Sequence, residues 1–345
     1  MYFSKINLAK TLFTLVLCGE KKSMLINLKD ITIIQAQNFL QYAIAPRPIA
    51  FASTIDKEGN VNLSPFSFFN LFSTNPPIII FSPSRRVRNN TVKHTLENVM
   101  DVPEVVINIV TYDIVHQASL ASCEFPKGTD EFIKAGFTKE KATLVKPLMV
   151  KESPVKIECK VLEIKSLGNG GGAGNLIICE VLCMHIEDNI LNDEKTGIDQ
   201  TKLHHVARLG GDWYCKVTKQ NLFKVAKPNT KLGIGFDNLP KTILHSNILT
   251  GNHLAQLANV EVVPTKDESF DNMGLIFIQK EYKNNPAKMR HELHLLAAEL
   301  LNNGHVEDAW QVLLTCPEND TVSNDEEVTA DVMNDSLFTN NHKVV

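Results

Sequence analysis

The distribution of apolar and polar residues divides the chain into a first part rich in predicted strands and a second part rich in predicted helices. Short runs in which apolar and polar residues alternate, or in which β-branched residues follow one another, predict strands. They cover residues 49–55, 61–63, 76–81, 105–110, 154–164 and 176–186. Segments 91–99 and 114–121 predict helices, with Asn or Thr available as the N-cap of the first. The first part is therefore predicted to be mainly β with a few helices.

Two connections predict which strands pair. A polar turn at 56–60, which contains Gly59, joins the first two strands into a hairpin. A glycine-rich segment, 168–174, joins the two longest strands as a second antiparallel pair. These glycines do not predict a dinucleotide-binding loop of the Rossmann kind, because a strand follows them where that loop requires a helix.

The pattern becomes helical beyond Trp213 and Tyr214. Residues 248–258 are amphipathic, and residues 287–316 predict a helical hairpin that turns at Asn302-Asn303-Gly304. Two short helices alone rarely bury enough surface, so we expect this hairpin to pack against the first part or against a second subunit. The polar and acidic residues 317–345 predict a disordered tail. We therefore predict a mainly β domain at 24–228 and a C-terminal α-helical extension at 229–316.

The N-terminal segment, 1–23, allows two interpretations. Lys5 and Lys10 accompany an apolar run at 12–17 that is at the short limit for a secretory signal. Met24 opens the first regular segment, which favours the interpretation that 1–23 is dispensable or comes from a misassigned start. No run elsewhere is long enough to span a bilayer, and the predicted location is the cytoplasm.

The composition favours a globular protein with a small-molecule partner. Apolar residues make up 43% and charged residues 21% of the chain, and the net charge of −4 gives no reason to expect nucleic acid or a membrane as partner. The seven cysteines include no CxxC pair. Cys179 and Cys183 are close in sequence, but they lack the second pair or the spaced histidines of a usual metal site. We interpret the cysteines as reduced core thiols and predict no metal site.

Residues 82–95 combine hydroxyl groups, three arginines and a lysine where a strand gives way to a helix. Side-chain donors, backbone N–H groups and the helix dipole would together attract a phosphate. A basic turn in solvent is the alternative on these residues alone.

Three motifs follow one another in a fixed order: RPIA at 47–50, SPFSFFN at 64–70 and PPIIIFSPS at 76–84. The flanking prolines hold Arg47 in an extended conformation, and the second motif places small hydroxyls beside three aromatic rings. In this order the motifs resemble the flavin reductase-like family of FMN-binding split barrels, over roughly residues 40–215. The resemblance implies a split β-barrel that binds FMN, uses NAD(P)H as reductant and forms a homodimer.

The resemblance also implies which residues contact the cofactor. Those at the flavin ring are Arg47, Ile49, Ala50, Ser64 and Ser67. Those at the flavin phosphate are Ser82, Ser84, Arg85, Thr91 and Lys93.

A further motif, HHVARLGGDWY at 204–214, resembles the C-terminal signature of the same family. Adjacent histidines on a regular element cannot both face one site, and His205 is the candidate catalytic residue. Its contribution is secondary, because hydride transfer between stacked rings depends mainly on their positioning. Arg208 would receive a phosphate of NAD(P)H or of the flavin. A charged turn that closes the barrel is the alternative for this motif.

These features predict an oxidoreductase that uses NAD(P)H to reduce flavin, or a small acceptor through bound FMN. A non-catalytic FMN-binding protein, serving as electron carrier or flavin store, is the alternative. A third hypothesis is an enzyme for a specific organic substrate, with the C-terminal residues as a lid.

Overall fold

The structure, a computed structural model, describes residues 24–227 and 231–317. The chain separates after Phe223 into two units, each with a hydrophobic core of its own. The predictions for 1–23 and for the tail beyond 317 lie outside the described residues, and so does the predicted boundary at 228–229.

The N-terminal unit is built from strands with four short helices among them. The helices are α1 Ile33–Ala43, α2 His94–Asp101, α3 Val115–Leu120 and α4 Glu131–Ala135. The strands are β1 Ala50–Ile55, β2 Val61–Phe66, β3 Phe69–Thr74, β4 Pro77–Phe81, β5 Glu104–Ile109, β6 Lys139–Glu140, β7 Met149–Val150, β8 Val155–Ser166, β9 Asn175–Ile186, β10 Val206–Arg208 and β11 Tyr214–Lys216. The predicted mainly β architecture is confirmed.

Seven of these strands form one antiparallel sheet in the order β2-β1-β5-β8-β9-β4-β3. The two predicted hairpins, β1 with β2 and β8 with β9, are neighbours in it. Strand β1 is buried on both faces, because Ala50 and Ala52 belong to one core cluster and Phe51 to another. Burial on both faces explains why its sequence is almost continuously apolar or small.

Helix α2 begins later than its sequence suggested. The predicted Asn or Thr cap is wrong, because Lys93 occupies the N-cap position and makes no side-chain cap hydrogen bond. The side chain of Thr91 is instead bonded to Asn89 within the preceding turn, and the amide of Asn90 donates to the carbonyl of Asn169. The N-terminus of α2 is therefore left without a side-chain cap among the described residues.

The C-terminal unit is helical, as predicted. Its helices are α5 Lys241–Leu244, α6 Gly251–Leu257, α7 Met273–Glu281, α8 Pro286–Asn302 and α9 Val306–Leu314. The predicted hairpin corresponds to α8 and α9, and Trp310 of α9 is 1% exposed and donates its indole N–H to the carbonyl of Leu257. Across 24–227 and 231–317, none of the helices combines the length and the apolar character that a membrane crossing requires.

Candidate functional site

A small open cleft lies beside the N-terminus of α2. We call residues 82–93, which connect β4 to α2, the basic segment. The side chains used below are Asn62 and Ser64 of β2, Arg86 and Lys93 of the basic segment, Thr95 of α2 and Glu124 of the loop after α3. The cleft therefore brings together residues that are far apart in the sequence.

Buried polar side chains hold the strand β2 side of the cleft in place. The hydroxyl of Thr95 donates to Oδ1 of Asn62 over 2.7 Å, and Nδ2 of Asn62 donates to Oε1 of Glu131 over 3.0 Å. The other oxygen of Glu131 accepts from the backbone N–H of Leu63 over 3.0 Å. Burial raises the pKa of Glu131, and these hydrogen bonds oppose the rise. A satisfied buried network of this kind fixes its members in one arrangement.

Arg86 is the arginine of the basic segment that lines the cleft. Its Nη1 donates to the hydroxyl of Thr91 and to the carbonyl of Val92. Its Nε is buried and has no hydrogen-bond partner among the described residues. It lies 3.4 Å from Oε1 of Glu124, an ion-pair contact that is not a hydrogen bond, so a ligand acceptor with better geometry at this nitrogen would bind favourably.

Lys93 lies at the same end of the cleft and adds a second positive charge. Burial lowers its pKa, and the nearby Arg86 lowers it further. Since both cations lie next to the uncapped N-terminus of α2, the potential here favours an anion. The donor set suits a phosphate, because it combines two cations, the hydroxyl of Ser64 and free helix N–H groups.

Glu124 opposes this arrangement. One of its oxygens lies 3.4 Å from Nε of Arg86, and its carboxylate also bonds to Arg88. It faces partly to solvent, with 45% of its side chain exposed. An incoming phosphate would therefore compete with this carboxylate for Arg86.

Arg47 lies in a different environment. Its Nη1 donates to the carbonyls of Gln41 and Ile44, each over 2.6 Å, and its Nη2 donates to the carbonyl of Leu209 over 2.7 Å. Its backbone also pairs with that of Arg208. Arg47 therefore ties the end of α1 and the chain after β10 to the start of β1.

The other residues predicted at the flavin ring fall into two groups. Ser64 lines the cleft together with Lys93, so the SPFS motif and the basic segment meet at this residue. The side chains of Ile49 and Ala50 are buried in two core clusters, which leaves their backbone as the part that can contact a ligand. Ser67 is half-buried between β2 and β3.

The remaining residues predicted at the phosphate also belong to the basic segment, but their hydrogen bonds are made within the segment or to the chain beside it. Arg85 is occupied by Asn90, to whose side chain and carbonyl its guanidinium donates. Thr91 accepts a hydrogen bond from Arg86. Ser82 is buried, and Ser84 pairs through its backbone with Gly174. None of these four residues lines the cleft.

The glycine-rich connection between β8 and β9 packs directly on the basic segment. The N–H of Arg85 donates to the carbonyl of Ala173 over 2.8 Å, and the N–H of Gly172 donates to the carbonyl of Arg85 over 2.9 Å. A Cβ at Gly174 would lie 2.7 Å from the hydroxyl oxygen of Ser82, and one at Gly171 would lie 2.9 Å from a backbone carbonyl. Glycine is required here because a side chain would separate the two backbones.

The two residues predicted from the C-terminal signature do not line the cleft. His205 is half-buried and pairs through its backbone with Thr111, and burial lowers the pKa of its imidazole. Arg208 lies over the ring of Tyr214, 4.6 Å from its centroid, and donates to the phenol of that residue and to the carbonyl of Gly211.

Sequence reasoning did not select four of the residues that form the cleft: Asn62, Arg86, Thr95 and Glu124. Arg86 was one of three arginines in the segment, and nothing in their spacing distinguished them. Asn62 carried a usable signal, since it is an amide within an otherwise apolar strand.

The comparisons with known proteins agree with this fold. Residues 42–205 match the family model described as flavin reductase like domain. An uncharacterized protein of Aquifex aeolicus is 37% identical over 182 residues, which cover 53% of this chain and 90% of that protein. An uncharacterized protein of Halalkalibacterium halodurans is 35% identical over 176 residues, which cover 50% of this chain and 83% of that protein.

Two solved structures are similar over the same part of the chain. Nitrilotriacetate monooxygenase component B from Bacillus cereus is 28% identical with a TM-score of 0.55, and the match covers 59% of this chain and 100% of that one. The 2-nitrobenzoate 2-nitroreductase of Pseudomonas fluorescens is 23% identical with a TM-score of 0.54, covering 61% and 100%, and it supports the fold alone.

Proposed function

This chain belongs to the flavin reductase-like family and has its split-barrel fold, and from that premise we propose that it is an FMN-binding oxidoreductase. NAD(P)H is the proposed reductant, and the flavin itself or another small molecule is the proposed acceptor. Bound FMN would supply a group that accepts hydride and passes electrons on. The chain's own contribution is to bind and orient both nucleotides.

The observation that carries the proposal is the pair of cations, Arg86 and Lys93, at the uncapped N-terminus of α2, where Nε of Arg86 makes an ion pair with Glu124 but no hydrogen bond. A phosphate bound there would accept from both cations, from the hydroxyl of Ser64 and from helix N–H groups. Charge-assisted hydrogen bonds of this kind are among the stronger ones in proteins. The residues present therefore fit the phosphate end of FMN.

Ser64 connects this phosphate site with the segment proposed for the flavin ring. Along β2 and the chain after it, the backbone from Ser64 to Ser67 would face the polar edge of the ring. Ile49 and Ala50 would contribute backbone atoms, because their side chains are buried in the cores. Arg47 keeps its proposed place near the ring, where its main part would be to hold the neighbouring backbone segments in position through its three hydrogen bonds.

We place Arg208 and His205 at the nicotinamide nucleotide. Arg208 would meet one of its phosphates. His205 would be an uncharged imidazole at neutral pH, because burial lowers its pKa, and would act by contact with the ring rather than by charge.

A homodimer completes the proposal. Helix α1 buries none of its eleven residues, and Ile33, Ile34, Phe39 and Leu40 are each at least 44% exposed. A helix of this length is marginal in water without packing partners. A second copy of the chain would supply that packing. Light scattering of the full chain should give the mass of a dimer, and a monomer at micromolar concentration would contradict this part of the proposal.

The full chain should bind FMN more tightly than riboflavin, because riboflavin lacks the phosphate. Fluorescence titration with each flavin measures the difference, and equal affinities would contradict the phosphate site. Oxidation of NADH and NADPH should then be measured with and without added FMN. FMN binding without oxidation of either nucleotide would favour the alternative, a non-catalytic electron carrier or flavin store.

A further inference from the structure

The long hairpin of β8 and β9 carries three possible metal ligands on one face. Glu158 of β8 is directly opposite Cys183 of β9, and His185 is two residues further along β9. Side chains two apart on a strand share a face. Nε2 of His185 lies 2.6 Å from Oε1 of Glu158 and 3.9 Å from Sγ of Cys183. One ligand atom from each side chain lies within 4.8 Å of the other two.

Backbone hydrogen bonds fix the position of the Glu158 carboxylate before any metal binds. Glu158 is fully buried. It accepts backbone hydrogen bonds from Thr143 over 2.8 Å, from Leu144 over 2.6 Å and from Val145 over 3.0 Å. The imidazole of His185, by contrast, is 33% exposed, so the group can be reached from solvent.

The local charges suit a divalent cation. A carboxylate and a thiolate together neutralise a charge of two, and the imidazole binds in its neutral form. Lys156, the neighbouring cation on the same face of β8, is paired with Glu140 over 3.0 Å. Its positive charge is therefore compensated locally.

We propose that Glu158, Cys183 and His185 form a binding site for a zinc-type divalent cation, with water as the fourth ligand. Sulfur, imidazole and carboxylate in a four-coordinate site are ligands that Zn²⁺ accepts. Within 24–227 and 231–317 no fourth His, Cys, Asp or Glu joins the group. The site lies outside the proposed flavin cleft and does not depend on the proposed function.

Binding requires a small movement and the release of one proton. In a tetrahedral zinc site, nitrogen and oxygen ligands are roughly 3.3 Å apart, and nitrogen and sulfur roughly 3.6 Å. The imidazole of His185 must therefore move away from Glu158 and towards Cys183. The cation takes the place of the hydrogen between Nε2 and Oε1. That proton moves by way of solvent to Nδ1, which keeps the imidazole neutral, and the one proton released to solvent comes from the thiol.

The test uses reduced full-length protein that has been freed of metal with a chelator and then titrated with Co²⁺. Coordination by a thiolate gives a charge-transfer band, and four-coordinate Co²⁺ gives visible bands at longer wavelength than flavin absorbs. We expect one equivalent to bind, to be displaced by Zn²⁺, and to raise the midpoint of thermal unfolding.

Cys183→Ser should abolish the charge-transfer band, and His185→Ala should weaken Co²⁺ binding on the order of tenfold or more. Cys123→Ser is the matched control, because it removes an exposed thiol elsewhere in the chain and should leave the titration unchanged. Glu158→Gln is unsuitable as the main test, since it disturbs three backbone hydrogen bonds. Absence of a thiolate band in the unmodified protein, or its persistence in Cys183→Ser, would overturn the proposal.

Discussion

Arg47 and Arg86 are both largely shielded from solvent, with 8% of Arg47 and 15% of the Arg86 side chain exposed, and each has a buried Nε that makes no hydrogen bond to the described residues. They differ in what the rest of the guanidinium does. Arg47 donates to three carbonyls from two distant segments, whereas Arg86 donates only within its own turn and lies beside the carboxylate of Glu124. The comparison indicates that Arg47 mainly stabilises the barrel, while Arg86 is available to a ligand.

The largest expected effect is that of Arg47→Ala on stability. The substitution leaves three partly buried carbonyls without their donor, and we expect the free energy of unfolding of the N-terminal unit to fall by about 3 kcal/mol. Hydrogen exchange of the amides of β1 and β10 in increasing urea would measure it. Unchanged stability together with lost FMN affinity would instead make Arg47 primarily a cofactor ligand.

Arg86→Ala should act on binding. We expect FMN affinity to fall by about 1–3 kcal/mol, which corresponds to roughly 5- to 150-fold, while riboflavin affinity stays unchanged. Fluorescence titration with both flavins measures this. The matched control is Arg85→Ala, which removes the same charge one residue earlier, where the side chain is occupied by Asn90. An equal loss of FMN affinity in the two variants would show that Arg85 contacts the phosphate as much as Arg86 does.

The affinity for FMN should also depend on pH through Lys93. Its pKa lies below the ordinary 10.5, lowered by burial and then by Arg86. Above pH 8 the phosphate is fully ionised, since its second pKa is about 6. Affinity should therefore decrease as the pH rises towards the pKa of Lys93, because the ammonium loses its proton. Lys93→Arg should remove this decrease, and an identical profile in both proteins would exclude Lys93 from the site.

The smallest expected effect is an increase in FMN affinity. Glu124→Gln removes the carboxylate that competes for Arg86, and FMN affinity should increase by roughly two- to fivefold, as expected for a partly exposed charge. The increase should shrink at high salt. In an Arg86→Ala background the gain should be smaller still, and a gain of equal size in both backgrounds would show that Glu124 does not act through Arg86.

The strands and hairpins could be predicted because their signals are local. Alternation along 154–164 and 176–186, with glycines between them, is sufficient to specify β8 and β9 as partners. The start of α2 could not be predicted in the same way. Its nearest capping residues are used by the preceding turn and by Asn169, which is distant in sequence. Helix α7 is not predicted by its sequence, because apolar residues lie on most sides of the helix and give no periodic pattern of apolar and polar positions.

The segment that lines the cleft could be predicted from the sequence, but which of its side chains face the cleft could not. Which of Arg85 and Arg86 faces the cleft depends on the backbone of the basic segment, and that backbone is bonded to residues 172 and 173. Similarly, Cys183 is close in sequence to Cys179, so the sequence raised only that pair as possible metal ligands. The structure instead places Cys183 beside Glu158 and His185. Contacts across a sheet are set by strand register, which short motifs do not encode.

The close packing of residues 171–174 on the basic segment affects how variants of this protein would be interpreted. Gly174→Val changes a residue that does not line the cleft, yet its branched side chain would push Ser82 and the turn beyond it out of position. The damage would appear as weaker retention of FMN in a barrel that is otherwise intact. If the proposed phosphate site is right, substitutions at this hairpin tip should reduce FMN affinity more than they reduce the stability of the fold.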